Sequence, residues 1–245
     1  MIVSVGRTLA ELVAVLLGVG MIVGAFQATG LTGPLATELI FLAGDSVIML
    51  LIMGALTSFV FGMGMTVTAC YIFLAVVLAP ALVQAGLNEL SVHLFILYWG
   101  MVSYITPPVA LGAFAAATVA GSTPMRTGLE AMRLGSIIYF LPFFFVLNPA
   151  LVLNGPIEQI LIEVPTALLG VTLVASGLQG YLVFVGAFGT SVPSLAVRFT
   201  MIAAGLCLAF PELTSNLIGL AILVPTVIAG RFFAERKQME APAAE

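Results

Sequence analysis

Two short segments of this 245-residue sequence collect residue types that can turn bare oxygens toward a ligand. Gly62-Met63-Gly64-Met65-Thr66, followed by Val67-Thr68, sets two glycines and two threonines inside a stretch with no Asp, Glu, Lys or Arg from residue 46 to 88. Ser103, Thr106, Pro107 and Pro108 fall in a second charge-free stretch, 90–125. Glycine permits positive φ and close backbone approach. Proline removes an amide donor, clashes with the preceding turn, and pushes the residue before it out of the helical region. The Pro pair therefore frees carbonyl oxygens, and the hydroxyls of Thr66, Thr68, Ser103 and Thr106 add more. Hard cations such as Na+ take oxygen ligands, and backbone plus hydroxyl oxygens supply them without a buried carboxylate. The expected chemistry is a Na+ and substrate site in which Gly62, Gly64, Thr66 and Thr106 hold the ion. The lack of acidic residues suits such a site better than a proton relay. Taken singly, Gly-Met-Gly also suits close helix packing and Pro-Pro a simple kink; the pairing of both with an uncharged tip favours a site.

Other chemistries find no constellation. The sequence holds no H-E-x-x-H pair, no G-x-S-x-G elbow and no P-loop. A Ser103–His93 dyad fails on geometry, because ten helical residues rise about 15 Å. His93, near Glu89, is read as a structural hydrogen-bonder. Cys70 and Cys207 both lie in apolar stretches and read as small core residues rather than a disulfide framework. Nucleic-acid binding needs a basic face, and here the formal net charge is −4 with the cations scattered, only Arg236 and Lys237 being adjacent. No enzyme and no cofactor are expected.

The elements that must position these residues follow from composition. With 62% of positions hydrophobic, 7% charged and a mean hydropathy of +1.24, the chain lies far from the soluble norm of about 25% charged residues. The charge-free stretches 12–37, 46–88, 90–125, 134–157 and 164–197 are long enough for spanning helices, which need roughly 20 apolar residues. The expected fold is an all-α polytopic membrane protein. Residues 9–29 form a first span, and 34–43 a short interfacial helix. The arms 46–61 and 67–85 are either two short spans or one re-entrant hairpin. Their tip has no charge, which is tolerated at membrane depth only where protein or a cavity satisfies the backbone, so 46–85 is read as the hairpin. Residues 91–121 form one helix broken at Ile105-Thr106-Pro107-Pro108. Spans follow at 135–153, 163–187, 195–211 and 214–231, then a charged tail, 232–245. This parse puts all seven basic residues (Arg7, Arg126, Arg133, Arg198, Arg231, Arg236, Lys237) on one side and Glu38, Asp45, Glu89, Glu158, Glu163 and Glu212 on the other. By the positive-inside rule the basic side, with the C-terminus, is cytoplasmic. A broken helix facing a Gly-rich hairpin tip is the apparatus of a secondary transporter, where half-helix ends and unwound carbonyls hold a cation and an anionic group.

Six segments occur in order: Gly62-Met63-Gly64-Met65-Thr66-Val67-Thr68-Ala69-Cys70-Tyr71-Ile72, Ala79-Pro80-Ala81-Leu82, His93-Leu94-Phe95, Ile105-Thr106-Pro107-Pro108-Val109-Ala110-Leu111, Pro124-Met125-Arg126-Thr127-Gly128 and Asn148-Pro149-Ala150-Leu151. Together they closely resemble the large permease subunit of tripartite ATP-independent periplasmic transporters, particularly the fused permeases that work with TAXI-type binding proteins. The resemblance runs from about residue 9 to 153, so that 1–153 corresponds to the C-terminal repeat and 154–231 to extra C-terminal membrane helices. It implies the second inverted repeat of an elevator-type fold in a bacterial or archaeal cytoplasmic membrane. It also implies Na+-coupled import of an organic acid delivered by a periplasmic solute-binding protein. Residues 46–85 would be the outward-opening hairpin with Gly62, Gly64 and Thr66 at its tip, and Thr106, Pro107 and Pro108 the break. The family's first repeat and small-subunit portion have no counterpart in this sequence, so the expectation is the C-terminal half of a permease that does not transport alone. The competing expectation is a non-transporting membrane scaffold or inert fragment.

Overall fold

The computed structural model describes residues 32–44, 46–183, 185–188, 192–210 and 213–240, with scattered positions before Thr32. The expected first span, 9–29, lies for the most part outside the described residues, as does the end of the tail, 241–245. The chain divides into two compact units, Met1–Leu129 and Glu130–Glu245.

In the first unit, α1 (Thr32–Leu42) ends at Gly44, which takes φ +62°. Ser46 caps the next helix, its hydroxyl accepting from the Met49 amide at 3.4 Å. That helix, α2 (Val47–Gly64), runs three residues past the arm expected at 46–61, so Gly62-Met63-Gly64 form its last turn without positive φ and the turn itself shrinks to Met65 and Thr66. α3 (Val67–Val77) follows directly, because Thr66 is extended and its hydroxyl accepts from the Ala69 amide at 3.3 Å, starting a new helix at once. α4 (Ala79–Gln84) follows with Pro80 in its first turn. Gly86 at φ +90° makes the turn, and Asn88 caps α5 (Glu89–Val102) by accepting from the Ser91 amide. After the break come α6 (Leu111–Ala120), stopped by Gly121 at φ +63°, and α7 (Pro124–Leu134), in which the boundary between the units falls. α2 packs most extensively on α5, with α3 and α4 against the same helix. Leu50, Leu51, Leu74, Leu82, Phe95 and Ile96 fill the space between them. Lipid tails are as apolar as these side chains, so inside a bilayer such contacts stabilise through close packing rather than through escape from water.

In the second unit the stretch expected as one span, 135–153, is three short pieces: a 3₁₀ turn at Ser136–Tyr139, α8 (Leu141–Leu147) and a second 3₁₀ turn at Pro149–Val152. Pro142 and Pro149 each withhold an amide, and Leu153 turns the chain at φ +60°. α9 (Ile157–Gln179) starts earlier than expected and carries Pro165 inside it, and Gly180 at φ +74° ends it before residue 187. A two-residue antiparallel hairpin, Tyr181–Leu182 with Gly186–Ala187, occupies the expected last turn of that span. α10 (Val192–Ala209) and α11 (Leu213–Glu240) complete the chain. α9 and α10 approach through glycines: a Cβ on Gly170 would stand 2.6 Å from the Gly205 carbonyl oxygen, and one on Gly205 2.5 Å from the Gly170 oxygen. Among the described residues, α9 and α10 are the two helices long and apolar enough to cross a membrane by length and composition.

Candidate functional site at the helix break

The tip between α2 and α3 and the break between α5 and α6 meet. Gly62, in the last turn of α2, is buried against Gly100 of α5, so closely that a Cβ on Gly62 would stand 2.4 Å from the Gly100 carbonyl oxygen. Ser103, at the C-terminal end of α5, is fully buried, and its hydroxyl lies 2.9 Å from the Gly62 carbonyl oxygen and 3.0 Å from that of Gly100. One proton shared between two carbonyls joins the hairpin to the broken helix. A second layer lies behind it: the Cys70 thiol of α3 donates to the Ser58 carbonyl of α2 at 3.7 Å and would sit 3.4 Å from a Cβ on Gly100. Three helices thus converge where their side chains are smallest.

The break itself is tightly folded. Thr106, 7% exposed, donates its hydroxyl to the Val102 carbonyl at 2.7 Å, prolonging the end of α5 by a side-chain bond. The Pro107–Pro108 bond is cis. Ala110 starts α6 from the left-handed region at φ +37°, and its amide reaches both the Ser103 and the Thr106 carbonyls at 3.1 Å. A left-handed non-glycine residue costs roughly 1–2 kcal/mol, and such strain gathers where a ligand site or switch needs it. The Gly112 amide reaches back to the Tyr104 carbonyl at 3.0 Å. Within the described residues the carbonyls of Ile105, Pro107, Pro108 and Val109 take no backbone hydrogen bond. The last carbonyls of α2 are likewise without helical donors, as at any helix C-terminus.

The expected site residues therefore fall into three groups. Gly62 and Ser103 are in direct contact, and Thr106 and Pro107 lie in the adjoining loop. Gly64 is the last residue of α2. Thr66 and Thr68 are exposed at the start of α3, and the Thr66 hydroxyl is occupied as a helix cap; Pro108 is exposed on the break. The Ser103 proton is committed to carbonyls, which leaves its oxygen lone pairs as the acceptors it can offer.

Two glycines outside the expected set also shape the site. Gly100 is what allows Gly62 so near, and its signal was a glycine one turn before Ser103 in a helix otherwise rich in large side chains, Leu97-Tyr98-Trp99. Gly128 of α7 rests on Pro107. His93 is engaged as a structural group, its Nδ1 3.2 Å from the Tyr71 hydroxyl with the rings edge to face. Asn148 caps the second 3₁₀ turn by accepting from the Ala150 amide and donates to the Glu163 carboxylate of α9. Both cysteines are free. No cluster of three or more His, Cys, Asp or Glu occurs among the described residues.

The family model described as "Tripartite ATP-independent periplasmic transporter, DctM component" matches residues 1–160, more than half of the chain and the whole of the tip and break. No curated protein and no solved structure matches the chain.

Proposed function

Because this chain belongs to the family of the DctM component of tripartite ATP-independent periplasmic transporters, a family of transporters and not of enzymes, we propose that it forms the half of the permease that grips the coupling ion. The coarse identity is a multi-pass permease component of the inner membrane. The finer reading is that 46–85 is a re-entrant hairpin, 91–121 a broken helix, and the two together the second inverted repeat of an elevator-type fold. It imports an organic acid with Na+, receives it from a periplasmic binding protein of the TAXI type, and is completed by a first repeat and a small-subunit portion.

The contact of Gly62 with Ser103 carries this reading, because it joins the Gly-rich end of α2, at the turn into α3, to the Pro-Pro break after α5. The C-terminal ends of α2 and α5 present partial negative charge, and the break adds the carbonyls of Ile105, Pro107, Pro108 and Val109, which suits a cation. The N-terminal ends of α3 and α6 present amides and partial positive charge, which suits the carboxylate of an organic acid. Thr66 and Thr68 stand exposed at the α3 end. No Lys or Arg lies between residues 8 and 125, so the anion is held by helix ends rather than by a salt bridge.

The test is reconstitution of the chain with its completing half and binding protein in proteoliposomes, followed by uptake of labelled carboxylates. Uptake driven by an inward Na+ gradient and abolished by K+ replacement is the expected result. Uptake indifferent to Na+ overturns the coupling.

A further inference from the structure

α7 touches the rest of its unit in an unusual way. Of its residues Gly128 alone is buried, while Met125, Arg126 and Leu129 around it are exposed. A Cβ at Gly128 would stand 2.8 Å from Pro107 Cγ, 3.4 Å from Pro107 Cδ and 3.5 Å from Phe114 Cε1. The first distance is well inside van der Waals contact. A proline ring can move its Cγ only by a change of pucker and has no rotamer by which to swing aside, so the remaining relief comes from the backbone of the break or of α7. Pro107 follows Thr106, whose carbonyl holds the strained Ala110 amide and whose hydroxyl holds Val102.

We infer that Gly128 is a positioning residue for the ion site: the bare face of α7 sets how far Pro107 sits from α7, and through Pro107 it sets the direction of the Thr106, Pro107 and Pro108 carbonyls. The inference rests on the Na+ reading above and adds to it a residue outside the tip and the break. α7 is a buttress rather than a ligand, and its exposed Arg126 plays no part in holding the ion.

The single tryptophan, Trp99, lies one turn before Ser103 on α5 and reports on this region. The experiment is an NaCl titration of Trp99 fluorescence in lipid nanodiscs at constant ionic strength, with KCl as the control. It compares the unaltered chain with Gly128→Ala, Pro107→Ala and the double variant, and thermal unfolding is followed in Na+-free buffer. Gly128→Ala is expected to raise the Na+ concentration at half-response by about tenfold. In the Pro107→Ala background, where the ring atoms are gone, the same change is expected to have no further effect. If Gly128→Ala alone does not fold, the comparison of Pro107→Ala with the double variant decides the matter. A Gly128→Ala chain that titrates like the unaltered one overturns the inference alone. So does a loss of the same size in both backgrounds, because the effect then does not pass through Pro107. An unaltered chain indifferent to Na+ overturns the ion reading and this inference together.

Discussion

The Ser103 hydroxyl lies 2.9 Å from the Gly62 carbonyl oxygen across 41 positions of sequence, and it is the hydrogen bond that joins the hairpin tip to the broken helix. Ser103→Ala removes the donor and leaves the Gly62 carbonyl buried against α5. Hydrogen bonds between membrane helices contribute modestly, so the expected loss of stability is about 0.6–1 kcal/mol, measured by thermal unfolding in nanodiscs. A larger effect on Na+ response than on unfolding temperature is expected if the bond aligns the site.

Gly62→Ala is expected to be more severe. The added methyl would meet the Gly100 carbonyl, which is backbone and cannot swing aside. Overpacking of this kind costs typically about 1–3 kcal/mol. Gly54→Ala is the internal comparison: its Cβ would meet the Leu78 Cδ2 side-chain atom at 3.3 Å, and that side chain can give. Unfolding temperatures of the two variants, measured side by side, should fall in that order.

Ser58→Ala should go the other way. Ser58 is 0% exposed and its hydroxyl has no hydrogen-bond partner among the described residues, while its carbonyl receives the Cys70 thiol whatever the side chain. Replacing an unpaired buried polar group by an apolar one of similar shape is nearly neutral or stabilising. Unfolding at or above the temperature of the unaltered chain is the expected outcome.

In the second unit, Arg198 closes the end of α9, with Nε donating to the Gly177 carbonyl and Nη2 to the Leu178 carbonyl, each at 2.8 Å. Arg198→Gln is expected to cost on the order of 1.5–3 kcal/mol, the range for hydrogen bonds to charged groups. Arg198→Lys should recover only part, because one ammonium lacks the planar fork that spans two carbonyls. Limited proteolysis at the 181–187 hairpin gives an independent check, with faster cleavage expected in Arg198→Gln.

Much of the site was legible before any coordinates. Pro107 and Pro108 mark the break after α5, because proline acts on its own backbone and leaves a signal in one dimension, whereas Gly62 and Gly64 lie within α2 and Gly62 serves close packing on Gly100. The caps were equally local: Ser46, Thr66 and Asn88 each precede a helix and accept from an amide three residues on. The second unit was read less well. Pro142, Pro149 and Pro156 were in plain view, yet hydropathy treats 135–153 as one apolar stretch and does not register that its amides are missing.

By itself, then, the sequence determined that the chain belongs in a membrane and that it breaks at Pro107-Pro108, since both follow from composition and from each residue's own backbone chemistry. Only the tertiary structure decided which break meets which tip. α2 and α5 are apolar on nearly every face, so no stripe of polarity says which side of one faces the other. The choice is made instead by shape, by the missing side chains of Gly62, Gly100 and Gly128, and a missing side chain specifies a contact only once there is a partner to fill the space.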